Sequence, residues 1–445
     1  MEKGAFTPSG APKLSPDTLA QMTQPGSLAA DAPAPWASGH SSCSHCKRCT
    51  LRCEVLNGPD LDIGLVEESY RAIVALSADE QPAAVLQTVQ DRPELYHALR
   101  RCCFCGYCTS TCQSHIAAPE HMREWRLLFM RAGLMPPDDS KLVMVDNEWH
   151  IFSAYRAIYG IVYPEFISLE HAAEQGPGSI DTLFFPGCSL VSYAPELMRL
   201  TGRWLDEAGI SWALSDSCCG SPLMSAGLFD RAESLRRKTL DLIRAAGITR
   251  VLTVCPGCGE ELAATMGDSV EIVPLPEVML ERSRAALQTG ESAGFTPLRP
   301  SSITFFDSCH DRSDGRHGAA IRKLIETGLP EAKRLEMEHH GKETLCCGAG
   351  GAVASYDDDI TRRRVWSIID EARATGAETM ITACPTCTYT IAQACLGAGA
   401  TRGIDSHHYL ELLFGQTIDW PLVFDQLGSM WEGEYGPWLT ATFFA

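Results

Sequence analysis

Twenty cysteines are spread over 445 residues, and eighteen of them fall into short groups whose spacing suits metal ligation. Cys43, Cys46, Cys49 and Cys53 form C-x2-C-x2-C-x3-C, and Cys102, Cys105, Cys108 and Cys112 repeat that spacing. Three thiolates this close wrap three corners of an iron-sulfur cubane from one loop, and the neighbouring motif supplies the fourth ligand. The expected pairing is therefore crossed. Cys43, Cys46, Cys49 and Cys112 hold one [4Fe-4S] cluster, and Cys102, Cys105, Cys108 and Cys53 hold the other. Zinc fits poorly, because its tetrahedral sites favour two well-separated C-x-x-C pairs. Cys103 lies outside the spacing and reads as a small buried residue, as does Cys395 on a helix-like stretch.

The remaining cysteines come in two sets of five. Cys188, Cys218, Cys219, Cys255 and Cys258 are matched by Cys309, Cys346, Cys347, Cys384 and Cys387. The offsets from Cys188 to Cys309, Cys218 to Cys346 and Cys255 to Cys384 are 121, 128 and 129 residues, so a whole domain is duplicated. Five thiolates exceed the need of one cubane. Adjacent cysteines diverge, which suits two irons of a larger cluster better than one tetrahedral metal. Gly220 and Gly348, after each pair, are expected to let the backbone approach a bulky inorganic core. The C-x-x-C groups are expected to open helices, whose free N–H groups suit a negatively charged sulfur shell.

The elements that must position these groups alternate in each copy. A short apolar run, Thr182 to Phe185, precedes Cys188; a helix-like stretch, Pro195 to Ala208, follows; Ser211 to Leu214 leads to the cysteine pair. Leu228, Ala232, Leu235 and Leu242 mark one helical face, Gly247 is the expected stop, and Val251 to Val254 runs into Cys255. In the second copy, Asp359 to Ala374 reads as helix and Thr379 to Thr382 as strand. Strand and helix alternation implies parallel sheets, with each cysteine group just past a strand's C-terminal end, where open α/β sheets place ligands. The fold class is α+β and multidomain. Residues 1–42 read as a flexible tail, 43–125 as a helical domain, 126–180 as a connector, 181–298 and 299–415 as the duplicated α/β domains, and 416–445 as a C-terminal tail.

A formal net charge of −19 excludes a phosphate-binding surface, so no nucleic acid partner is expected. No stretch of about 18 apolar residues runs uninterrupted, and no secretory signal pattern opens the chain. The expected location is cytoplasmic, with any membrane association made through a partner subunit. In a reducing compartment twenty cysteines point to metal and not to a disulfide framework.

The paired motifs at Cys43 and Cys102 resemble bacterial two-cluster ferredoxin domains, with Glu54 and Gln113 in place of the usual proline after the fourth cysteine. The strings SCCG, VCPGC, CCGAGG (Cys346 to Gly351) and ACPTC resemble the cysteine-rich CCG domains of heterodisulfide reductase. Ferredoxin motifs and two CCG modules in one chain resemble its fused D-type subunit, from about Ser42 to Leu413. The resemblance implies a helical ferredoxin-like domain followed by two duplicated α/β CCG domains. It also implies two cubane and two noncubane [4Fe-4S] clusters, the latter on the ten cysteines of the two sets. It further implies that electrons pass through the cubanes to the noncubane clusters, where a small disulfide or related sulfur substrate is reduced or oxidised.

Disulfide reduction also needs protons, for which His310, Asp311, His407 and His408 are candidates by position. No flavin or nucleotide motif occurs, so electrons come from another redox subunit, a flavoprotein or a membrane cytochrome. Two rivals stand beside this reading. One is an electron-transfer subunit between a flavoprotein dehydrogenase of the glycolate or lactate oxidase type and a quinone-reactive membrane cytochrome. The other is a zinc-stabilised interaction scaffold. The aromatic C-terminal residues Trp431, Tyr435, Trp438, Phe443 and Phe444 are expected either to dock on a partner or to cap their own domain.

Overall fold

Short apolar runs that end at a cysteine group become parallel strands. The computed structural model describes residues 43–57, 61–135, 137–178, 180–290, 292–398 and 403–444, and the tail expected over 1–42 lies outside them. The first sheet contains β1 (Thr182–Phe185), β2 (Trp212–Leu214), β3 (Arg250–Thr253) and β4 (Glu271–Pro274), in the order β2-β1-β3-β4. The second contains β5 (Ser302–Phe306), β6 (Lys333–Glu336), β7 (Thr379–Thr382) and β8 (Asp405–His408), in the order β6-β5-β7-β8. Every pairing is parallel, and the two copies share one topology. Leu183, Phe184 and Phe185 are buried in succession because helices cover both faces of the sheet. β6, an edge strand of Lys, Arg, Leu and Glu, is largely exposed.

The helix Phe229–Ala246 ends at Gly247, whose φ of 73° meets the left-handed requirement of the stop. Its buried face differs from the expected one. Ala232, Arg236, Thr239, Leu240, Ile243 and Ala246 point inward, while Leu235 and Leu242 sit at the margin. Arg236 causes the rotation: its guanidinium reaches the Cys219 carbonyl and the Glu261 carboxylate in the interior.

One apolar core runs through both modules, joining Phe184, Leu252, Ile303, Phe305, Ile381, Tyr409 and Leu410. The helices Leu275–Thr289 and Arg316–Gly328 pack along each other at the join. Toward the N-terminus, the helices Ile63–Val74, Gln81–Asp91, Pro93–Arg100 and Ala118–Arg131 surround Leu99, Trp125 and Phe129. Val353 and Ile360 of the second module belong to this core too, so the helical region is seated on that module. The boundary expected at 125 falls inside the helix Ala118–Arg131.

The segment 416–445 is not a loose tail. Its helices Trp420–Glu432 and Gly436–Phe444 bury Trp420, Val423, Met430, Leu439 and Phe443 against Tyr155 and Ile158 of the helix Ile151–Ile158. The Tyr155 hydroxyl donates to Gln426 Oε1 at 2.5 Å, and Trp431, Tyr435, Trp438 and Phe443 pack on their own chain while Phe444 is exposed.

Candidate metal centres and the thiol path

Cys188 follows β1 and opens a short helix behind Gly187, at φ 85°. A Cβ on Gly187 would lie 3.1 Å from Cys258 Sγ, so this turn must be glycine for both conformation and space. Cys188 and Cys218 bring their sulfurs to 3.8 Å. Cys219 lies beside Cys218 and Cys258, and Cys258 beside Cys255. Cys255 caps the helix Pro256–Met266, as the C-x-x-C spacing requires. The second module repeats the arrangement: Cys309 hydrogen-bonds Cys346, Cys387 lies 3.3 Å from Cys347, and Cys384 contacts Cys387. Each set of five therefore converges from three segments.

The two sets also meet. Cys255 Sγ and Cys384 Sγ are 3.8 Å apart, across the boundary between modules.

Among the N-terminal motifs, Cys43, Cys46, Cys49 and Cys112 line one small pocket with His45, Lys47 and Asp62. A Cβ on Gly64 would approach Cys43 Sγ to 2.8 Å. Cys108 lies near Cys102 and Cys53, and Cys105 lies beside Cys346 of the second module. The sulfurs thus form one succession: the Cys43 group, the Cys102 group with Cys53, the Cys346 set, and the Cys188 set.

Residues 182–263 and 303–392 each match the cysteine-rich domain family, CCG. Over 301 residues the chain is 28% identical to an uncharacterized iron-sulfur protein of Methanococcus maripaludis, covering 65% of this chain and 56% of that one. It is 24% identical to the D-type subunit of the dihydromethanophenazine:CoB–CoM heterodisulfide reductase of Methanosarcina acetivorans, covering 78% of this chain and 87% of that protein. It is also 24% identical to the B-type subunit of the fumarate reductase (CoM/CoB) of Methanothermobacter marburgensis, covering 78% and 66%. The chain carries two cysteine-rich CCG domains, and these relatives are iron-sulfur proteins and redox subunits. It spans little more than half the length of the first of these relatives.

The donor set of this CCG-domain protein fits iron-sulfur chemistry. Burial pushes Cys53 up to about 11, and the nearby Cys102 adds to the shift. Hydrogen bonds to Cys346 and burial raise Cys103 and Cys105, while those same bonds lower Cys346. Cys219 and Cys384 are lowered in the same way by Cys218 and Cys258, and by Cys255 and Cys387. So many buried thiols cannot ionise together unless positive charge sits among them, and bound iron would supply it.

Gly220 and Gly348 have φ of 81° and 80°, and their Cα atoms face helices: a Cβ would meet Ala232 at 3.4 Å and Thr361 at 3.0 Å. They turn the chain and seat it on a helix.

The four proposed proton donors separate. His310 Nδ1 lies 2.6 Å from Glu260 Oε2 of the first CCG domain. Burial pulls this imidazolium down, but the hydrogen bond and charge of Glu260, with the Cys384 thiolate, outweigh it and raise His310 to about 9. Asp311 is engaged otherwise: its carboxylate accepts from the N–H groups of His317 and Gly318, at 3.0 and 2.7 Å, and so anchors the helix Arg316–Gly328. His407 is bound between Asp405 and Glu411 and lines a cleft of about 950 Å³ that none of the eighteen motif cysteines borders. His408 is fully buried beside Cys384; burial pushes it down to about 4, so it is neutral, and its Nδ1 accepts from Leu410 N–H at 3.4 Å.

Two arginines escaped the sequence reading. Arg126 is buried and donates to the carbonyls of Leu99, Arg100, Cys102, Ser225 and Gly351, tying the second ferredoxin motif to both CCG domains. Arg364 donates to Cys103 Sγ. Each occupies a position on the apolar stripe of its helix, and a cation there is the legible signal.

Proposed function

We propose that this subunit passes electrons singly between two cubane [4Fe-4S] centres, on the crossed sets Cys43, Cys46, Cys49, Cys112 and Cys102, Cys105, Cys108, Cys53, and two noncubane [4Fe-4S] centres on the CCG cysteines. At the CCG end it hands them to a disulfide or related sulfur substrate, and the direction reverses under oxidising conditions. The observation that carries this reading is the meeting of the two CCG sets, where Cys255 and Cys384 face each other at 3.8 Å, with Cys105 of the Cys102 motif beside Cys346 at the other side of the second set. Bound there, the clusters supply one-electron storage and transfer.

The chain's own residues supply the rest. A disulfide takes up two protons with its two electrons. His310, held protonated by Glu260 and near Cys384, would deliver one of them. Six of the ten CCG cysteines, Cys218, Cys219, Cys258, Cys347, Cys384 and Cys387, are buried, which limits water at these sulfurs. Electrons enter from another redox subunit, a flavoprotein or a membrane cytochrome, and any membrane association runs through that partner. Among the described residues no helix is long and apolar enough to cross a membrane.

Anaerobically purified protein is expected to be brown, with about sixteen irons for four clusters of four. With reduced viologen it is expected to reduce a mixed thiol disulfide of the CoB–CoM kind. Mainly zinc on metal analysis would remove the redox reading. Full iron without disulfide turnover, but with reduction by a flavoprotein dehydrogenase, would favour the electron-transfer rival.

A further inference from the structure

A guanidinium in a protein interior is ordinarily matched by a carboxylate, because an unpaired buried charge is costly. The helix Asp358–Ala374 carries three consecutive arginines that make the contrast visible. Arg362 pairs with Asp358 and Asp359, and Arg363 with Glu54, all at the surface. Arg364 turns inward. Among the described residues no carboxylate lies within ion-pair distance of it, and its hydrogen-bond partner is the sulfur of Cys103.

The surroundings of Arg364 are sulfur. The groups that act most strongly on its charge are Cys103, Cys346, Cys105 and Cys53, from three separate stretches of chain. Cys53 and Cys105 belong to the second ferredoxin-type set, and Cys346 to the second CCG domain. Cys103 belongs to neither. Its sulfur is 3.5 Å from the Gly348 carbonyl, and a Cβ on Gly348 would lie 3.3 Å from Arg364 Cδ. The guanidinium is therefore clamped at the junction of two centres, each an anion when loaded. A fixed positive charge there favours the reduced state of both and weakens their mutual repulsion, the more so where water is scarce.

We propose that Arg364, held by Cys103, is the shared counter-ion of the second ferredoxin-type centre and the second CCG centre, and that its charge sets the reduction potential of both. It acts as a positioning residue for charge, not as a catalytic group. The inference rests on the iron-sulfur reading above, and wild-type iron content and EPR signals, measured first, test that reading separately.

The deciding experiment is an EPR-monitored redox titration of the anaerobically purified full chain, comparing wild type, R364Q and R364K. In R364Q the signals of the second ferredoxin-type centre and the second CCG centre are expected to move to more negative potential, while that of the first CCG centre stays in place. R364K, which keeps the charge, is expected to restore most of the shift. Unmoved potentials in R364Q at full iron content would overturn the proposal, as would an equal shift in R364K. Should R364Q be recovered without its iron, R364K decides alone: near-wild-type potentials support the charge role, and loss of iron there too would assign Arg364 to packing and overturn it.

Discussion

His310 and His407 are both raised to about 9, yet only one of them stands beside the cysteines. Burial alone pulls His407 down, and its hydrogen bonds to Asp405 and Glu411 reverse that. A histidine whose folded pKa lies above its unfolded value of about 6.5 stabilises fully below that pH, and the contribution is lost as pH rises through about 9. The difference in unfolding free energy between wild type and H407Q is thus expected to be on the order of 1 to 3 kcal/mol near pH 6 and to shrink toward about pH 10. Denaturant titrations across that range check it, and a gap that does not vary with pH would contradict the assignment. Redox turnover is expected to be unaffected by H407Q, because the cleft it lines is bordered by no motif cysteine.

At the scale of elements, the glycines of the CCGAGG string decide how closely the second CCG domain meets the ferredoxin motif. Gly351 has φ 67°, and a Cβ there would lie 2.2 Å from the Cys102 carbonyl oxygen, a backbone atom unable to yield cheaply. G351A is expected to destabilise the protein by about 2 to 3 kcal/mol and to slow electron passage at this junction. G428A, in an open helical position, is expected to be neutral or to stabilise by up to about 1 kcal/mol. Chemical denaturation of the pair checks both, and equal stability would show that the junction is slack. The sequence could not rank these glycines, because a residue needed for a turn and one needed for close approach look alike. Strands such as Thr182–Phe185 were legible because a short apolar run ending at a cysteine leaves the chain little choice. Their neighbours were legible only where they carried such a run. The inward arginines were visible only as anomalies on apolar stripes. Trp420–Glu432 read as tail because its cover, the helix at Ile151, is remote in sequence.

Across the whole molecule, the shared core makes the two CCG domains one cooperative body. L410A is expected to cost about 2 to 4 kcal/mol and to lower the thermal stability of both CCG centres together, which loss of their separate EPR signals on heating would follow. The order of the sulfurs makes a stronger statement, because it is linear. Cys105 contacts Cys346, and Cys384 contacts Cys255, so the second CCG domain lies between the ferredoxin motifs and the first CCG domain. Electrons entering at the Cys43 end have no shorter route among these sulfurs. Replacing buried Cys347, 3.3 Å from Cys387, by serine is expected to abolish the EPR signal of the second CCG centre while both ferredoxin-type centres stay reducible. Reduction of the first CCG centre by a protein donor is then expected to slow by orders of magnitude in freeze-quench EPR, since transfer must cross the gap left in the succession. A first CCG centre still reduced at the wild-type rate would mean that electrons also enter at the distal end. Loss of every centre at once would instead show that the second CCG domain must be loaded for the chain to fold.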